Sequence, residues 1–253
     1  MITLSSDFGS PYPAAMRGVI CSRTDARIED IAHDFPRQDV RTAAFWLTQT
    51  LPYFPPAVHC VVVDPGVGTG RAALVVRAGD HALVGPDNGV LLPAARAIDD
   101  DVEVFRWSFD SPDSSTFHGR DVFAPAAATV HNHGVDDIEG LARSARSDSY
   151  VDLRFPDPSI SRSGARGEVL VVDDFGNAIT NISGEELAAH AGEAVEINGQ
   201  QAPVCRAYGE CEPGQRLVTV GSHGYIELAV NRGRGDDAFG VTTGDAVELA
   251  WRF

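Results

Sequence analysis

Two aspartates follow short apolar runs near the start of the chain: Asp7 in Ser5-Ser6-Asp7-Phe8-Gly9, after Ile2-Thr3-Leu4, and Asp64 in Val61-Val62-Val63-Asp64-Pro65-Gly66. Ligands of open α/β sheets collect beyond the carboxyl ends of the strands, so both acids stand where a ligand is expected. Taken singly, each also reads as a turn acid bonding its own backbone. Asp64 opens the loop Asp64-Pro65-Gly66-Val67-Gly68-Thr69-Gly70-Arg71. Its glycines permit a tight turn that folds the Asp64 and Arg71 heads together. The loop lacks the Lys-Ser/Thr pair of a nucleoside triphosphate cradle, and a solvated ion pair is the other reading of Arg71. Ser115-Thr116-Phe117-His118-Gly119-Arg120-Asp121 places His118 and Arg120 just before a helix, where backbone N–H groups converge and a histidine can orient a water or merely cap. His131 and His133, two apart on a helix end, face different ways, and no metal site is expected there.

Toward the C-terminus, Asp173-Asp174-Phe175-Gly176-Asn177-Ala178-Ile179-Thr180-Asn181 and Gly221-Ser222-His223-Gly224-Tyr225-Ile226-Glu227 combine glycine turns with amide, hydroxyl and carboxylate groups. These groups suit a polar zwitterion or a base edge, and equally suit hairpin turns.

Short buried strands are predicted at 2–4, 59–64, 73–77 and 82–85, and helices at 12–23, 38–51, 88–98 and 121–132. Strand and helix in alternation predict an N-terminal α/β domain with a mostly parallel sheet over residues 1–156. Residues 157–166, rich in Pro, Ser and Gly, read as a linker. Over 167–253 the texture changes to short alternating runs, GEVLVVD, AVEING, RLVTV, YIELAVN and AVELAWRF, which predict a smaller antiparallel β-barrel-like domain.

Composition narrows the function further. Thirty-six acids against 20 basic residues give −16, and all the basic residues are Arg, with no Lys at all. An acidic, lysine-free surface repels phosphate backbones and anionic lipid, so neither nucleic acid nor a membrane is an expected partner. Such a surface suits a cytosol held at high salt, where screening shrinks repulsion to a few ångströms. The first residues have no charged region followed by an apolar one, and no run approaches the ~18 apolar residues of a membrane span, so a cytoplasmic protein is expected. Cys21, Cys60, Cys205 and Cys211 form no CxxC pair and are expected to be idle thiols, although Cys205 and Cys211 could close a small loop.

Six segments occur in the order seen in one family: Ser6-Asp7-Phe8-Gly9, 62–71, Gly85-Pro86-Asp87-Asn88-Gly89, 116–121, 175–181 and the Gly221-Ser222-His223-Gly224-Tyr225 turn. Nearly end to end, the chain resembles the S-adenosyl-L-methionine hydroxide adenosyltransferases, which are similar in fold to fluorinase and chlorinase enzymes. The resemblance implies hydrolysis of S-adenosyl-L-methionine to adenosine and L-methionine, with no cofactor or metal. It also implies a homotrimer whose sites lie between the N-domain of one subunit and the C-domain of its neighbour.

By the same resemblance, Asp64, Arg71 and His118 hold and activate a water for in-line attack on ribose C5′. Asp7 corresponds to the carboxylate that accepts the ribose hydroxyls, Asp173 to the acid for the methionine ammonium, and Ser222 to a contact for the methionine carboxylate. Asn177, Tyr225 and Glu227 complete the substrate-binding set, while Asp87-Asn88-Gly89 reads mainly as a turn. The loop Ser10-Pro11-Tyr12 is shorter than the family's usual one and lacks its additional acid. In 33–39 the family's proline is shifted. The rival readings are a halide adenosyltransferase and a non-catalytic adenosine- or sulfonium-binding protein. A carboxylate at Asp64 would repel a halide nucleophile and so favours water.

Overall fold

The computed structural model describes residues 1–251, the side chain of Ala189 excepted. The chain divides into two compact units, Met1–Arg154 and Phe155–Phe253.

The first unit is an α/β layer structure. Its strands are β1 (Ile2–Ser6), β2 (Ile28–Ala32), β3 (Val58–Val62), β4 (Ala73–Ala78), β5 (His81–Pro86), β6 (Val102–Trp107) and β7 (Ser144–Arg146). They form one sheet in the order β2-β1-β3-β5-β4-β6-β7. β2, β1, β3 and β5 run parallel, whereas β4, β6 and β7 pair antiparallel, so the sheet is mixed. The antiparallel half begins where Gly79-Asp80 alone joins β4 to β5, with Gly79 at φ 54°. A two-residue connection can only make a hairpin, and its left-handed backbone favours glycine.

Helices α1 (Tyr12–Cys21), α2 (Val40–Thr50), α3 (Leu92–Ile98) and α4 (Ala124–His133) supply the flanking layers. The predicted helix spans hold, with ends shifted by a few residues. Asp39 accepts from Thr42 N at 2.9 Å and so starts α2 two residues into the predicted span. A π-turn over Gly119–Phe123 leads directly into α4. Ile2, Leu4, Met16, Ile20, Val75 and Phe123 belong to a continuous apolar core, all essentially solvent-free.

The second unit contains β8 (Ser159–Ser161), β9 (Gly164–Val172), β10 (Ala178–Ser183), β11 (Ala194–Ile197), β12 (Gln200–Pro203), β13 (Arg216–Val220), β14 (Tyr225–Val230) and β15 (Ala246–Ala250), with a short helix α5 (Gly235–Phe239). The sheet order is β12-β11-β15-β9-β10-β14-β13, and a bridge from Val204 to Val218 ties its two ends into a nearly closed barrel. Alternation explains the closure: Val169, Ile182, Val195, Ile226, Val247 and Leu249 all point into one dry interior. Residues 157–166, read from composition as linker, include β8 and the start of β9, which pair with one another as a hairpin. The last apolar run, AVELAWRF, forms β15, and its final two residues lie outside those described. Cys205 and Cys211 are paired as a disulfide, contrary to the expectation of idle thiols; Cys21 and Cys60 are free.

Candidate active site

In the first unit, β1 and β3 are parallel neighbours, so Asp7 and Asp64 leave the sheet at the same edge. Both are 8 % exposed. The glycine loop turns back through Val67 N to Asp64 O at 3.2 Å and Thr69 N to Gly66 O at 3.1 Å. That reversal brings Arg71 onto Asp64 in a two-pronged grip: Nε donates to Oδ1 at 2.8 Å and Nη2 donates to Oδ2. The two side chains are only 9 % and 4 % exposed, which excludes the solvated-pair reading of Arg71. The same Nη2 donates to His118 Nδ1 at 2.9 Å, and the guanidinium stacks 4.9 Å over Phe123.

Asp64, Arg71 and His118 are therefore in direct contact although they span 54 residues of sequence. His118 is held below the ordinary imidazole range, first by burial and then by the Arg71 charge, with Asp64 and Asp121 opposing. It is thus neutral at neutral pH, with Nδ1 accepting from Arg71 and the proton on Nε2. Arg120, its neighbour in sequence, is engaged with Asp121 through Nε at 2.5 Å and Nη2 at 2.9 Å.

Asp7 accepts from Gln38 N at 2.7 Å through Oδ2. Gln38 takes a left-handed backbone, φ 61°, that side-chain-bearing residues adopt sparingly. Nothing in the composition of 33–39 signals that contact. Asp87-Asn88-Gly89 is a brace: Asn88 Nδ2 donates to Val63 O at 2.8 Å, beside Asp64, and Asp87 Oδ1 accepts from Val151 N at 2.8 Å. His131 meets the N-terminal amine while His133 meets Asp137 O, so the two histidines serve different partners.

In the second unit, Asp173 follows the end of β9, and the chain turns through Gly176, φ +86°, to Asn177. Its Oδ1 accepts from Asn177 N at 2.8 Å and its Oδ2 from Asn177 Nδ2 at 2.9 Å, so the acid shapes its own turn and presents a fixed carboxylate. Asp173, Asn177, Ser222 and Glu227 line one cavity of about 990 Å³, with the 80 %-exposed ring of Phe175 on its wall. Tyr225 does not line it; its ring stacks on His223 at 5.7 Å.

Glu227 is buried, yet its carboxyl lies below the usual range, because bonds from His223 Nε2 (2.9 Å to Oε1) and Tyr208 OH (2.6 Å to Oε2) outweigh the upward push of burial. Tyr208 in turn is raised, by burial and by Glu227. Tyr208 also lines the cavity, and the sequence offered no signal for it, since Arg206-Ala207-Tyr208-Gly209 has no chemical spacing. Asn181, the last residue of its motif, is structural: it accepts from Glu168 N at 2.8 Å and donates to Pro156 O at 2.7 Å. Among the described residues no three His, Cys, Asp or Glu side chains gather as a metal site.

Comparison with known proteins decides the family. The SAM hydroxide adenosyltransferase N-terminal domain matches residues 2–140, and the C-terminal domain of the same name matches residues 167–248. The chain belongs to the SAM hydroxide adenosyltransferase family. It is 39 % identical to an (R)-S-adenosyl-L-methionine hydrolase of Salinispora tropica, over 98 % of this chain and 97 % of the relative. A protein of the same name from Thermus thermophilus is 40 % identical over 96 % and 97 % of the two chains. Among solved structures, an uncharacterized conserved protein from Thermotoga maritima superposes with a TM-score of 0.85 at 32 % identity, covering 99 % of this chain and all of the other. The Asp64–Arg71–His118 cluster belongs to the first unit and the cavity lined by Asp173, Asn177 and Glu227 to the second. Among the described residues no helix is long and apolar enough to cross a membrane.

Proposed function

We propose that the protein hydrolyses S-adenosyl-L-methionine to adenosine and L-methionine. The observation that carries this reading is the buried contact of Asp64, Arg71 and His118, in a chain whose relatives are named (R)-S-adenosyl-L-methionine hydrolases. The same names support a preference for the (R) epimer at sulfur.

Water is a poor nucleophile at neutral pH, so attack on C5′ requires placement in line with the C5′–S bond and stabilisation of a hydroxide-like species. Arg71 supplies a permanent charge beside the nucleophile, and its grip on Asp64 fixes where that charge sits. Neutral His118, with Nδ1 occupied by Arg71, turns its Nε2–H toward orienting the water oxygen. Asp64 is the group positioned to take the water's proton as the new C5′–O bond forms and the C5′–S electron pair passes to sulfur. Methionine then leaves as a neutral thioether, so no general acid is required, and no Lewis acid is needed to activate the leaving group. Asp7 holds the ribose diol, Asp173 and Glu227 face the ammonium, and Asn177 and Ser222 complete the contacts; Tyr225 acts by supporting His223.

A homotrimer that joins the N-unit of one subunit to the C-unit of the next, working in a salt-rich cytoplasm, completes the proposal. The lysine-free surface at −16 supports the salt requirement. Incubation with each epimer of the substrate, with and without EDTA, tests it. Adenosine and methionine should form equally in both conditions, and faster from the (R) epimer. Light scattering should give three times the chain mass of 27.0 kDa. Turnover abolished by EDTA, or a monomer with full activity, would overturn the corresponding part.

A further inference from the structure

Behind Asp7 lies a second cluster with the outward form of a hydrolytic triad. Ser6 Oγ and His33 Nδ1 are 2.8 Å apart, and His33 Nε2 stands 3.2 Å from Asp30 Oδ1, out of line for a hydrogen bond. Arg17 of α1 closes the far side on Asp30 at 2.6 Å. Ser6 is 0 % exposed, so no substrate carbonyl can reach its hydroxyl and the cluster is not a nucleophile site.

Its geometry serves Asp7 instead. β1 and β2 are parallel neighbours, so Ser6 and His33 emerge side by side at the ends of adjacent strands. His33 grips Asp7 from both flanks. Its ring bonds Ser6, one residue before Asp7, and its carbonyl accepts from Gly9 N at 2.7 Å, two residues after. Five residues beyond His33, Gln38 N donates to Asp7 Oδ2 at 2.7 Å. A single loop, 33–38, thus fixes both the backbone that carries Asp7 and one oxygen of its carboxylate. Among the described residues Oδ2 is the Asp7 oxygen held in this way, and no hydrogen bond to Oδ1 is made.

We propose that His33 is a positioning residue for sugar recognition: through Ser6 and Gly9 it aims the Asp7 carboxylate at the vicinal hydroxyls of the substrate ribose. The inference rests on the reading of Asp7 given above. Because His33 acts through Asp7 and not through the Asp64–Arg71–His118 cluster, its loss changes binding of the sugar and leaves the chemical step nearly intact.

The test compares His33→Ala, His33→Asn and Asp7→Asn in the full-length protein. The substrates are S-adenosyl-L-methionine and its 2′,3′-dideoxyribosyl analogue, and thermal midpoints are recorded for every variant. His33→Ala should raise KM for the natural substrate roughly tenfold, the scale of one misaligned charge-assisted hydrogen bond, with kcat within about threefold of wild type. For the dideoxy analogue, His33→Ala and wild type should be alike. His33→Asn, whose amide can still meet Ser6 Oγ, should recover most of the loss. A purely structural histidine would lower the thermal midpoint and affect both substrates equally, and that result overturns the proposal. Wild-type kinetics in His33→Ala alongside a raised KM in Asp7→Asn overturns it alone. An unchanged KM in Asp7→Asn overturns the reading of Asp7, and the proposal with it.

Discussion

Replacing Asp64 by Asn keeps the shape of the side chain and removes its charge, leaving the Arg71 guanidinium buried without its anion. Both side chains are less than a tenth exposed, so solvent cannot compensate. Removing one partner of a buried pair costs about 3–5 kcal/mol. Arg71 keeps His118 Nδ1 and the Phe123 ring, which places the loss at the lower end, about 3 kcal/mol. At roughly 2–4 °C per kcal/mol for a unit of this size, the thermal midpoint should fall by about 10 °C. Arg71→Met alone should cost as much, because it strands Asp64. The double variant should recover about 2 kcal/mol or more of the summed loss, since neither charge is then left unpaired.

The control is the exposed pair Arg143–Asp110, whose side chains are 47 % and 87 % exposed. Asp110→Asn there should cost about 0–1 kcal/mol and nothing in molar KCl, where the Debye length is about 3 Å. The assay is urea unfolding of all four variants at low and molar KCl. A loss in Asp64→Asn below about 1 kcal/mol, or one that salt erases, would refute the claim that the pair is dry and with it the electrostatic argument for hydroxide.

His118→Gln should lower kcat by about 10²–10⁴ while leaving the dissociation constant, measured by calorimetry with a non-reactive sulfonium analogue, within a few-fold. Acid should weaken the fold through histidines that stay neutral when folded. His59, fully buried, bonded to Thr3 at 2.8 Å and to His81 at 2.9 Å, is pushed down to about 3 by burial and by His81. The unfolded chain takes up that proton below pH 6.5, so stability falls as pH drops; between pH 6.5 and 4.5 the loss from His59 is about 2 kcal/mol, and His59→Gln should flatten the slope seen in urea titrations. Gly176→Ala should disorder the Asp173–Asn177 turn, because φ is +86° and a methyl would meet the Arg234 side chain at 2.7 Å. Its signature is a raised KM with the Asp64 cluster intact, and an unchanged KM would count against Asp173 as a substrate contact.

The alternation of apolar runs and helical spans was enough to place Asp7 and Asp64 at one sheet edge, because strand ends can be read from local pattern. The Asp64–Arg71 contact was equally legible, since glycines between them leave the turn little else to do. His118 joined them only through the tertiary fold. The mixed sheet is not legible in the apolar runs themselves, since only the two-residue Gly79-Asp80 connection makes β4 and β5 antiparallel. Gln38 and His33 were missed because one contributes a backbone N–H and the other a bond to Ser6 across a strand pair, and neither leaves a mark on residue type. Tyr208 and the Cys205–Cys211 bridge share that cause, as a single hydroxyl and two scattered thiols acquire meaning only when β13 and β14 bring Glu227 and the neighbouring loop together.

The acidity of the chain and the chemistry of the site converge on one experiment. The protein is incubated with (R)-S-adenosyl-L-methionine in molar KCl made up in oxygen-labelled water, and the products are separated and weighed by mass spectrometry. Adenosine carrying the label at the 5′ oxygen, with unlabelled methionine, is the predicted result. Formation of 5′-chloro-5′-deoxyadenosine, or tight substrate binding with no turnover, would contradict the account.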